Sequence, residues 1–364
     1  MTDKRHSDAP RRARGDDAPT RVRKTSGAPV RLRDVARYVG VSTASVSRAL
    51  NMPHLVSDEL RERVLQAAQL LNWVPNGAAK ALASQRSRTI GALIPTLGHQ
   101  NFAIFVEALQ LDLTRANLTL VLGVESAADL RVQQARKMVE RGVDCMVLVG
   151  EAQPPALYEL LKVQQVPYVI TYAVAREPGN VSIGFDNYAA SARVARHLLD
   201  LGHRTFALIA PPSDDNDRIQ QRIAGIKDTL AQAGLGIRPS HYAQVESSRR
   251  IANGRSGLQK IWADRDRPTA LICTNDYLAT GALIEAKARR VVVPRDLSIV
   301  GFDDVDLSAH LDPPLTTVHV PAQEMGREIA NYVIRLLDQN VVSVPAPLEA
   351  SLVVRGSTAP PRER

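Results

Sequence analysis

The sequence has few of the features that mark secreted, disulfide-bonded or membrane proteins. It holds two cysteines in 364 residues, and no apolar run approaches the roughly 20 residues that a membrane span needs. Cys145 and Cys273 lie inside apolar runs, so we interpret both as reduced core residues and not as a disulfide or metal site. The N-terminus is charged and lacks the apolar stretch of a secretory signal. We therefore expect a cytoplasmic protein with no membrane partner.

Sequence motifs of catalysis are also missing. The chain has no G-x-G-x-x-G after a strand, no Walker loop, no G-x-S-x-G, no H-E-x-x-H and no clustered metal-ligand spacing. Its histidines are scattered along the sequence. We therefore expect a protein that is not an enzyme and that needs neither a cofactor nor a metal ion.

Positive charge is concentrated in the first quarter of the chain. Residues 1–88 hold 17 Lys and Arg against 8 Asp and Glu, whereas the remaining residues hold 29 against 30. A basic module on a nearly neutral body is typical of phosphate binding. Residues 1–29 carry much of the excess and have almost no large apolar side chains, so we expect a disordered tail. This leaves open whether the tail assists nucleic-acid binding or is merely solvated.

Residues 31–51, RLRDVARYVGVSTASVSRALN, predict two short helices joined by a Gly40-Val41 turn. This is the pattern of a helix-turn-helix. The second helix is opened by Ser42, runs to Leu50 and presents small polar residues followed by Arg48. Such a surface fits a DNA major groove, where small side chains do not clash and Arg can read guanine. The outer face of this helix comprises Ser42, Thr43, Ala44, Ser45, Ser47 and Arg48.

Two further elements follow the helix-turn-helix. Ser57 can cap a third helix that packs across the first two. Asn76 can cap a short Ala-rich segment that ends at Leu82-Ala83. Because this segment has few apolar side chains, it would be a marginal helix on its own. It therefore suits a hinge that folds when DNA and a second chain are present.

From Thr89 onward, apolar runs of four to eight residues alternate with amphipathic stretches. This alternation predicts parallel sheets covered by helices on both faces. Around 270 residues are long for one sheet, so we infer two α/β lobes. Ligands of such folds lie at the carboxyl ends of the strands, which places a ligand site in the cleft between the lobes.

The chain from about Arg31 to Arg355 resembles the LacI/GalR family of bacterial transcription regulators. The resemblance rests on DVARYVGVSTASVSRALN, NWVPNGAAKALA, HLLDLGHRTFALI, RIAG, CTNDYLATGAL, IVGFDDVDLSAHLDPPLTTV and ASLVVRGST. It implies an all-α helix-turn-helix domain and a periplasmic-binding-protein-like sensor with two parallel-sheet lobes. The boundaries that we expect are 1–29 for the tail, 30–75 for the DNA-binding domain, 76–88 for the hinge, 89–355 for the sensor (one lobe 89–185 and 322–344, the other 186–320 and 345–355), and 356–364 for a second tail.

The resemblance also implies partners and DNA-contacting residues. Family members are homodimers or tetramers on palindromic operators, and we expect a homodimer because the last residues carry no leucine heptads. Thr43, Ala44 and Arg48 match positions that touch base edges, and Leu82 matches an apolar wedge in the minor groove. The remaining DNA-facing positions, near phosphates or in the hinge, are Ser42, Ser45, Ser47, Asn51, Asn76, Ala79 and Lys80.

For the effector, the resemblance implies six cleft residues: His99, Phe102, Tyr172, Arg222, Asn275 and Asp303. Tyr172 stands where sugar-binding members carry Asp, and loss of that acid together with retention of Arg222 favours an anionic ligand. The phrases IPTLGHQNFA and SIGFDNYAA look closest to the gluconate-responsive branch. A sugar acid such as gluconate is our first interpretation, followed by a neutral sugar or a nucleoside-type ligand. We interpret Asp276 as a helix cap, Asp304 as structural and His203 as a turn residue.

The sequence therefore predicts an effector-controlled transcriptional regulator, most simply a repressor of carbohydrate or sugar-acid utilisation genes. Two alternatives stay open at this point. One is a cytoplasmic sugar-binding α/β protein without operator function, for which the hinge at 76–83 would have no use. The other is a regulator that needs a protein co-effector.

Overall fold

The computed structural model describes residues 29–75, 77, 81, 86–246, 251–339 and 343–362. The chain divides after Gly77 into two compact units. The predicted hinge residues Asn76, Ala79, Lys80 and Leu82 lie outside the described residues, as do residues 1–28 of the predicted tail. Their expected roles therefore remain predictions.

The first unit is a three-helix domain. Its helices are α1 (Leu32–Val39), α2 (Thr43–Asn51) and α3 (Asp58–Leu70), with a 3₁₀ turn at Pro53–Leu55. Gly40 ends α1 with a φ of +77°, a left-handed conformation that glycine adopts without strain, and α2 begins three residues later. The buried core of the domain comprises Val35, Ala36, Val39, Val46, Ala49, Val64 and Ala67.

The second unit contains two parallel sheets. The first sheet has the order β2-β1-β3-β4-β5, and the second has the order β7-β6-β8-β9. The first sheet comprises β1 (Thr89–Ile94), β2 (Thr119–Val124), β3 (Cys145–Val149), β4 (Tyr168–Thr171) and β5 (Ser182–Ile183). The second comprises β6 (Phe206–Ala210), β7 (Ile237–Gln244), β8 (Ala270–Cys273) and β9 (Ser298–Val300), and a separate antiparallel pair comprises β10 (Thr317–Val318) and β11 (Leu352–Val353).

Helices connect the strands of both sheets. The helices of the first lobe are α4 (Gln100–Arg115), α5 (Ala128–Glu140), α6 (Pro155–Val163) and, from later in the chain, α11 (Ala322–Gln339), which packs on α4. Those of the second lobe are α7 (Asn187–Asp200), α8 (Asp217–Gln232), α9 (Ile251–Ile261) and α10 (Asp276–Ala288). The predicted fold class, a helix-turn-helix followed by parallel α/β layers, is confirmed. Within the described ranges, no helix is both long and apolar enough to span a bilayer.

Three strands and helices escaped the sequence prediction, of which the shortest is the two-residue strand β11. Strand β7 lies at the edge of its sheet, alternates exposed and buried residues at its end, and contains Pro239. Proline is tolerated at a sheet edge, but it weakens the sequence signal of a strand. Helix α6 begins at Pro155, which occupies a first-turn position where a backbone N–H donor is not needed.

Candidate DNA-binding and effector sites

Helix α2 offers the small, polar surface that the sequence predicted. Thr43, Ala44 and Arg48 are exposed, whereas Ser45 and Ser47 are half-buried. The Ser42 hydroxyl accepts a hydrogen bond from the backbone N–H of Ser45 at 3.1 Å, so this residue caps the helix. The core side chains of α2 point the other way, which leaves the exposed face open to a partner.

Three serines of this face are held by hydrogen bonds to neighbouring side chains. The hydroxyls of Ser42 and Ser45 lie 2.9 Å apart, and the Asn51 amide donates to the Ser47 hydroxyl over 3.4 Å. On α3, Arg63 donates to the carbonyl of Val39 at 2.8 Å and ties α3 to the end of α1. The first two bonds fix side chains on the α2 surface, and the third joins α3 to α1.

A cavity of about 370 Å³ lies between the two lobes of the second unit. Its walls come from segments that follow strands β1 and β4 in the first lobe and β6, β8 and β9 in the second. This is the carboxyl edge of both sheets, where α/β folds bind ligands. The structure brings together all six residues expected to face an effector: His99, Phe102, Tyr172, Arg222, Asn275 and Asp303.

A ring of polar contacts holds the two lobes together beside this cavity. The Tyr172 hydroxyl donates to the Asn101 carbonyl at 2.8 Å, and the Asn101 amide donates to the Asp303 carbonyl at 2.8 Å. The Asp303 carboxylate lies 3.6 Å from the Arg222 guanidinium. Arg222 donates to the Asn187 side-chain oxygen at 2.9 Å, and the Asn187 amide donates to the Tyr172 carbonyl at 2.8 Å, which closes the ring.

The protein itself supplies hydrogen-bond partners for two of the three guanidinium nitrogens of Arg222. Besides its bonds in the ring, Arg222 donates to the Thr274 carbonyl at 2.7 Å and stacks over the Phe302 ring at 3.5 Å from the centroid. Burial lowers the pKa of Arg222 to about 10, against the opposing effect of the Asp303 carboxylate. The group therefore stays charged at neutral pH and serves mainly to bind Asp303.

Asp303 and His99 form a second buried pair. The Nε2 atom of His99 lies 2.9 Å from the Asp303 carboxylate, so it carries the proton of that contact. The other ring nitrogen, Nδ1, is buried and has no hydrogen-bond partner. Because His99 lines the cavity, a ligand hydroxyl can satisfy this nitrogen.

Backbone strain is found at two of the cavity residues. Tyr172 has a φ of +62° and Asp303 a φ of +123°, although neither is glycine. Such conformations cost about 1–3 kcal/mol each and tend to occur at functional sites. Here the polar ring holds both residues in place.

Aromatic rings form the apolar part of the cavity wall. The rings of Phe102 and Tyr172 pack with centroids 4.8 Å apart, and His99 meets Tyr277 edge-on at 5.1 Å. Burial raises the pKa of Tyr172 well above its ordinary value, so its hydroxyl remains a donor. The wall thus offers an apolar face beside a few polar groups, as small-molecule sites do.

The interpretation of Asp276 as the cap of α10 is wrong. Asn275 caps the helix, because its side-chain oxygen accepts from the Leu278 N–H at 2.9 Å. The fully buried Asp276 carboxylate instead accepts from the hydroxyls of Thr317 at 2.6 Å and Ser308 at 2.7 Å. It therefore ties helix α10 to the segment that carries Asp303.

The other two residues interpreted as structural behave accordingly. Asp304 lies 2.7 Å from Arg355 and 3.0 Å from His319, outside the cavity. His203 is buried after α7 and contacts the Thr269 hydroxyl at 2.9 Å. Across the described residues, no group of three or more His, Cys, Asp or Glu is placed to hold a metal ion.

Sequence reasoning missed three residues of this region. Asn101 and Asn187 complete the polar ring, and Arg218 lines the cavity. The two asparagines lie in the first turns of helices that follow strands, a position that carries no specific sequence signal. Arg218 could have been found, since it lies four residues before Arg222 and so on the same face of α8.

Comparison with known proteins agrees with both units. Residues 31–76 match the model "Bacterial regulatory proteins, lacI family", and residues 195–358 match a periplasmic binding protein-like domain. The HTH-type transcriptional repressor CytR of Escherichia coli (strain K12) is 30% identical over 331 residues, which cover 90% of this chain and 96% of CytR. The chain belongs to the lacI family. As a LacI-family protein it is a transcriptional regulator and not an enzyme.

Two further comparisons extend this assignment over the whole chain. The ribose operon repressor of Haemophilus influenzae is 30% identical, with 90% of this chain and 98% of that protein covered. The crystal structure of the lac repressor dimer bound to operator and the anti-inducer ONPF matches with a TM-score of 0.81 at 26% identity. This match covers 91% of this chain and all of that one. Family membership therefore includes both the helix-turn-helix and the sensor.

Proposed function

We propose that this LacI-family regulator is a cytoplasmic repressor that binds a palindromic operator as a homodimer and responds to a sugar-class effector. The observation that carries the proposal is the cavity between the lobes, which is lined by all six expected effector residues. A lac repressor solved as a dimer on operator supports the assembly, and a relative named for a ribose operon supports the effector class.

For DNA, we propose that α2 enters the major groove. Thr43, Ala44 and Arg48 would meet base edges, because they are exposed and the helix axis places them on one face. Ala44 offers apolar contact only, so most direct discrimination would fall on Arg48. Ser45, Ser47 and Asn51 would lie near phosphates, with Ser42 as the cap that orients the helix.

The hinge completes the DNA-binding part of the proposal. Asn76, Ala79, Lys80 and Leu82 would act at the operator centre, where an apolar wedge at Leu82 unstacks a base step and bends the duplex. This role rests on the sequence pattern PNGAAKALA. Replacement of Leu82 by Ala would then weaken operator binding without altering the effector domain.

For the effector, we propose that the ligand lies against Phe102 and Tyr172 and donates or accepts hydrogen bonds at His99 and Asp303. A volume of about 370 Å³ is at the lower end of small-molecule sites, so a ligand of monosaccharide size fits. The polar ring joins the lobes through Arg222 and Asp303. A ligand that contacts both lobes would therefore change the orientation of one lobe relative to the other. That change would reach the operator through the hinge.

The test measures operator binding and effector response separately. An operator is selected from random DNA by the full-length protein, and affinity is followed by fluorescence anisotropy. Arg48→Ala should weaken specific binding about 10- to 100-fold, the amount expected for a lost bidentate base contact. Arg61→Ala, an exposed arginine on α3, is the matched control and should have little sequence-specific effect.

The effector arm uses Arg222→Met. Under conditions in which this destabilised variant stays folded, it should bind the selected operator normally and lose the response to sugars and sugar acids. A chain that selects no operator would refute the repressor function. A chain that binds operator but responds to no small molecule would favour regulation by a protein co-effector.

A further inference from the structure

We propose that Arg218 is the residue that binds the effector's charge, and that the effector is a carboxylic acid of monosaccharide size. The proposal rests on the effector role of the cavity proposed above. In this arrangement the ligand carboxylate binds Arg218, and the ligand hydroxyl groups contact His99 and Asp303. Arg222, the arginine that the sequence pattern favours for an anion, would then serve as a structural partner of Asp303.

The protein already engages Arg222 at its Nε and Nη1 atoms. Two of its nitrogens donate to Asn187 and Thr274, its charge faces Asp303, and one face of its guanidinium covers Phe302. A ligand carboxylate at Arg222 would have to displace the Asp303 carboxylate. That exchange would separate a buried ion pair and leave Asp303 with His99 alone, which is unfavourable in a buried site.

Arg218 is buried and only partly satisfied. Its side chain is 12% exposed, and its Nη1 atom is buried without a hydrogen-bond partner. The Nε atom donates to the Asn216 side-chain oxygen at 3.1 Å. Asp217 lies 3.9 Å from Nε, but its carboxylate also accepts from the Glu151 N–H at 2.8 Å. Burial lowers the pKa of Arg218, more than the opposing effect of Asp217.

The Arg218 side chain lines three separate cavities. Arg218 lines the cavity between the lobes and two smaller voids of about 90 and 100 Å³. The 90 Å³ void is also lined by Arg131, whose Nε atom is buried without a partner. The positive charge of Arg131 is one of the causes that lower the pKa of Arg218. Two like charges beside one void favour an anion between them.

The carboxylates around this void are largely occupied. Glu125 accepts from the N–H groups of Ser126 at 2.8 Å and Ala127 at 2.9 Å. The Asp217 carboxylate accepts a hydrogen bond from the Glu151 N–H of the first lobe. Asp215 is exposed to solvent. The cavity between the lobes is also lined by Glu246, which is exposed, and by Asp303, which is paired with Arg222 and His99. None of these groups fills the place of a ligand anion beside Arg218.

Helix geometry sets the size of the ligand. Arg218 and Arg222 are separated by one turn of α8, about 6 Å along the axis. Asp303 is the partner of Arg222. One short carbon chain can therefore join a carboxylate bound to Arg218 with hydroxyl groups near Asp303. A hexonic or uronic acid has this length, whereas a neutral sugar leaves Arg218 with Asp217 as its ion-pair partner and with Nη1 lacking a hydrogen bond.

Calorimetric titration of the full-length protein tests the proposal with matched pairs of ligands. The acids are D-gluconate, D-galactonate and D-glucuronate, and the neutral compounds are D-glucose and D-galactose. At least one acid should bind about 10- to 100-fold more tightly than its neutral counterpart, as expected for a charge-assisted contact. Arg218→Gln should remove that preference, and Arg218→Lys should retain part of it, because Lys keeps the charge but not the planar fork. Arg196→Gln, an exposed arginine on α7, should leave both affinities unchanged.

Three outcomes would overturn the proposal. Equal or tighter binding of the neutral sugars would exclude a carboxylate ligand and leave the sugar-effector function intact. Acid binding that survives in Arg218→Gln would place the carboxylate elsewhere. Failure of every compound to bind would also reject a sugar acid as the effector. The repressor function would be rejected only if the protein selects no operator.

Discussion

The ion pair between Arg222 and Asp303 should be far more important to stability than its length suggests. The two groups are 3.6 Å apart, and their side chains are only 9% and 7% exposed. Replacement of Arg222 by Met removes the donors to Asn187 and Thr274 and leaves the Asp303 carboxylate buried with His99. Loss of one partner of a buried pair typically costs about 3–5 kcal/mol.

A double-mutant cycle separates the pair from its surroundings. Arg222→Met alone should reduce the free energy of unfolding by about 3–5 kcal/mol. The double variant Arg222→Met/Asp303→Asn should recover about 2 kcal/mol of this loss, since removal of both charges leaves no unpaired ion. Urea unfolding is followed by fluorescence of Trp262, which is buried in the second lobe. Trp73, in the first unit, emits in the same range, so the cycle is measured in a Trp73→Phe background.

A surface pair provides the control. Arg238 and Asp266 are closer, at 2.8 Å, but their side chains are 54% and 76% exposed. The same cycle there, with Arg238→Met and Asp266→Asn, should yield a coupling of at most about 1 kcal/mol. A coupling at Arg222 and Asp303 as small as this would refute the argument that burial makes the ring strong. Additive effects of the two buried substitutions would refute it as well.

Three other predictions concern single sites. Gly281→Ala should destabilise the second unit by about 2 kcal/mol or more in thermal unfolding, because a Cβ there would lie 2.0 Å from the Ile251 carbonyl. Gly236→Ala has open space and should be nearly neutral, and equal melting shifts would contradict this. Burial raises the pKa of Asp276 from 3.8 to about 6, so the folded state holds its proton more tightly than the unfolded chain. Stability should therefore fall by about 3 kcal/mol as pH rises from below 4 through 6, and Asp276→Asn should flatten this dependence. Tyr172→Phe should cost about 1 kcal/mol but change effector affinity less than threefold, because the hydroxyl bonds the protein backbone; a tenfold affinity loss in a binding titration would show that the ligand uses it.

Local sequence patterns were sufficient for the helix-turn-helix. Each of the three helices buries a valine (Val35, Val46 and Val64), and Ser42 and Ser57 cap the helices that follow them. These features depend on neighbours three or four residues away, so the chain specifies them without reference to the rest of the fold. The same holds for the alternation of strands and helices from Thr89, which indicated two parallel lobes.

Long-range contacts decided the chemistry of the cavity. The sequence identified Tyr172, Arg222 and Asp303 as cleft residues, but it could not show that the protein itself uses most of their bonding capacity. That depends on Asn101 and Asn187, which reach these residues only because both lobes present their strand ends to one cavity. The sequence by itself thus determined the family, the elements and the region of the site. The tertiary structure decided that Arg222 donates to Asn187 and Thr274 and that Arg218 has a buried nitrogen without a partner, because hydrogen-bond satisfaction is a property of three-dimensional neighbours and not of residue type.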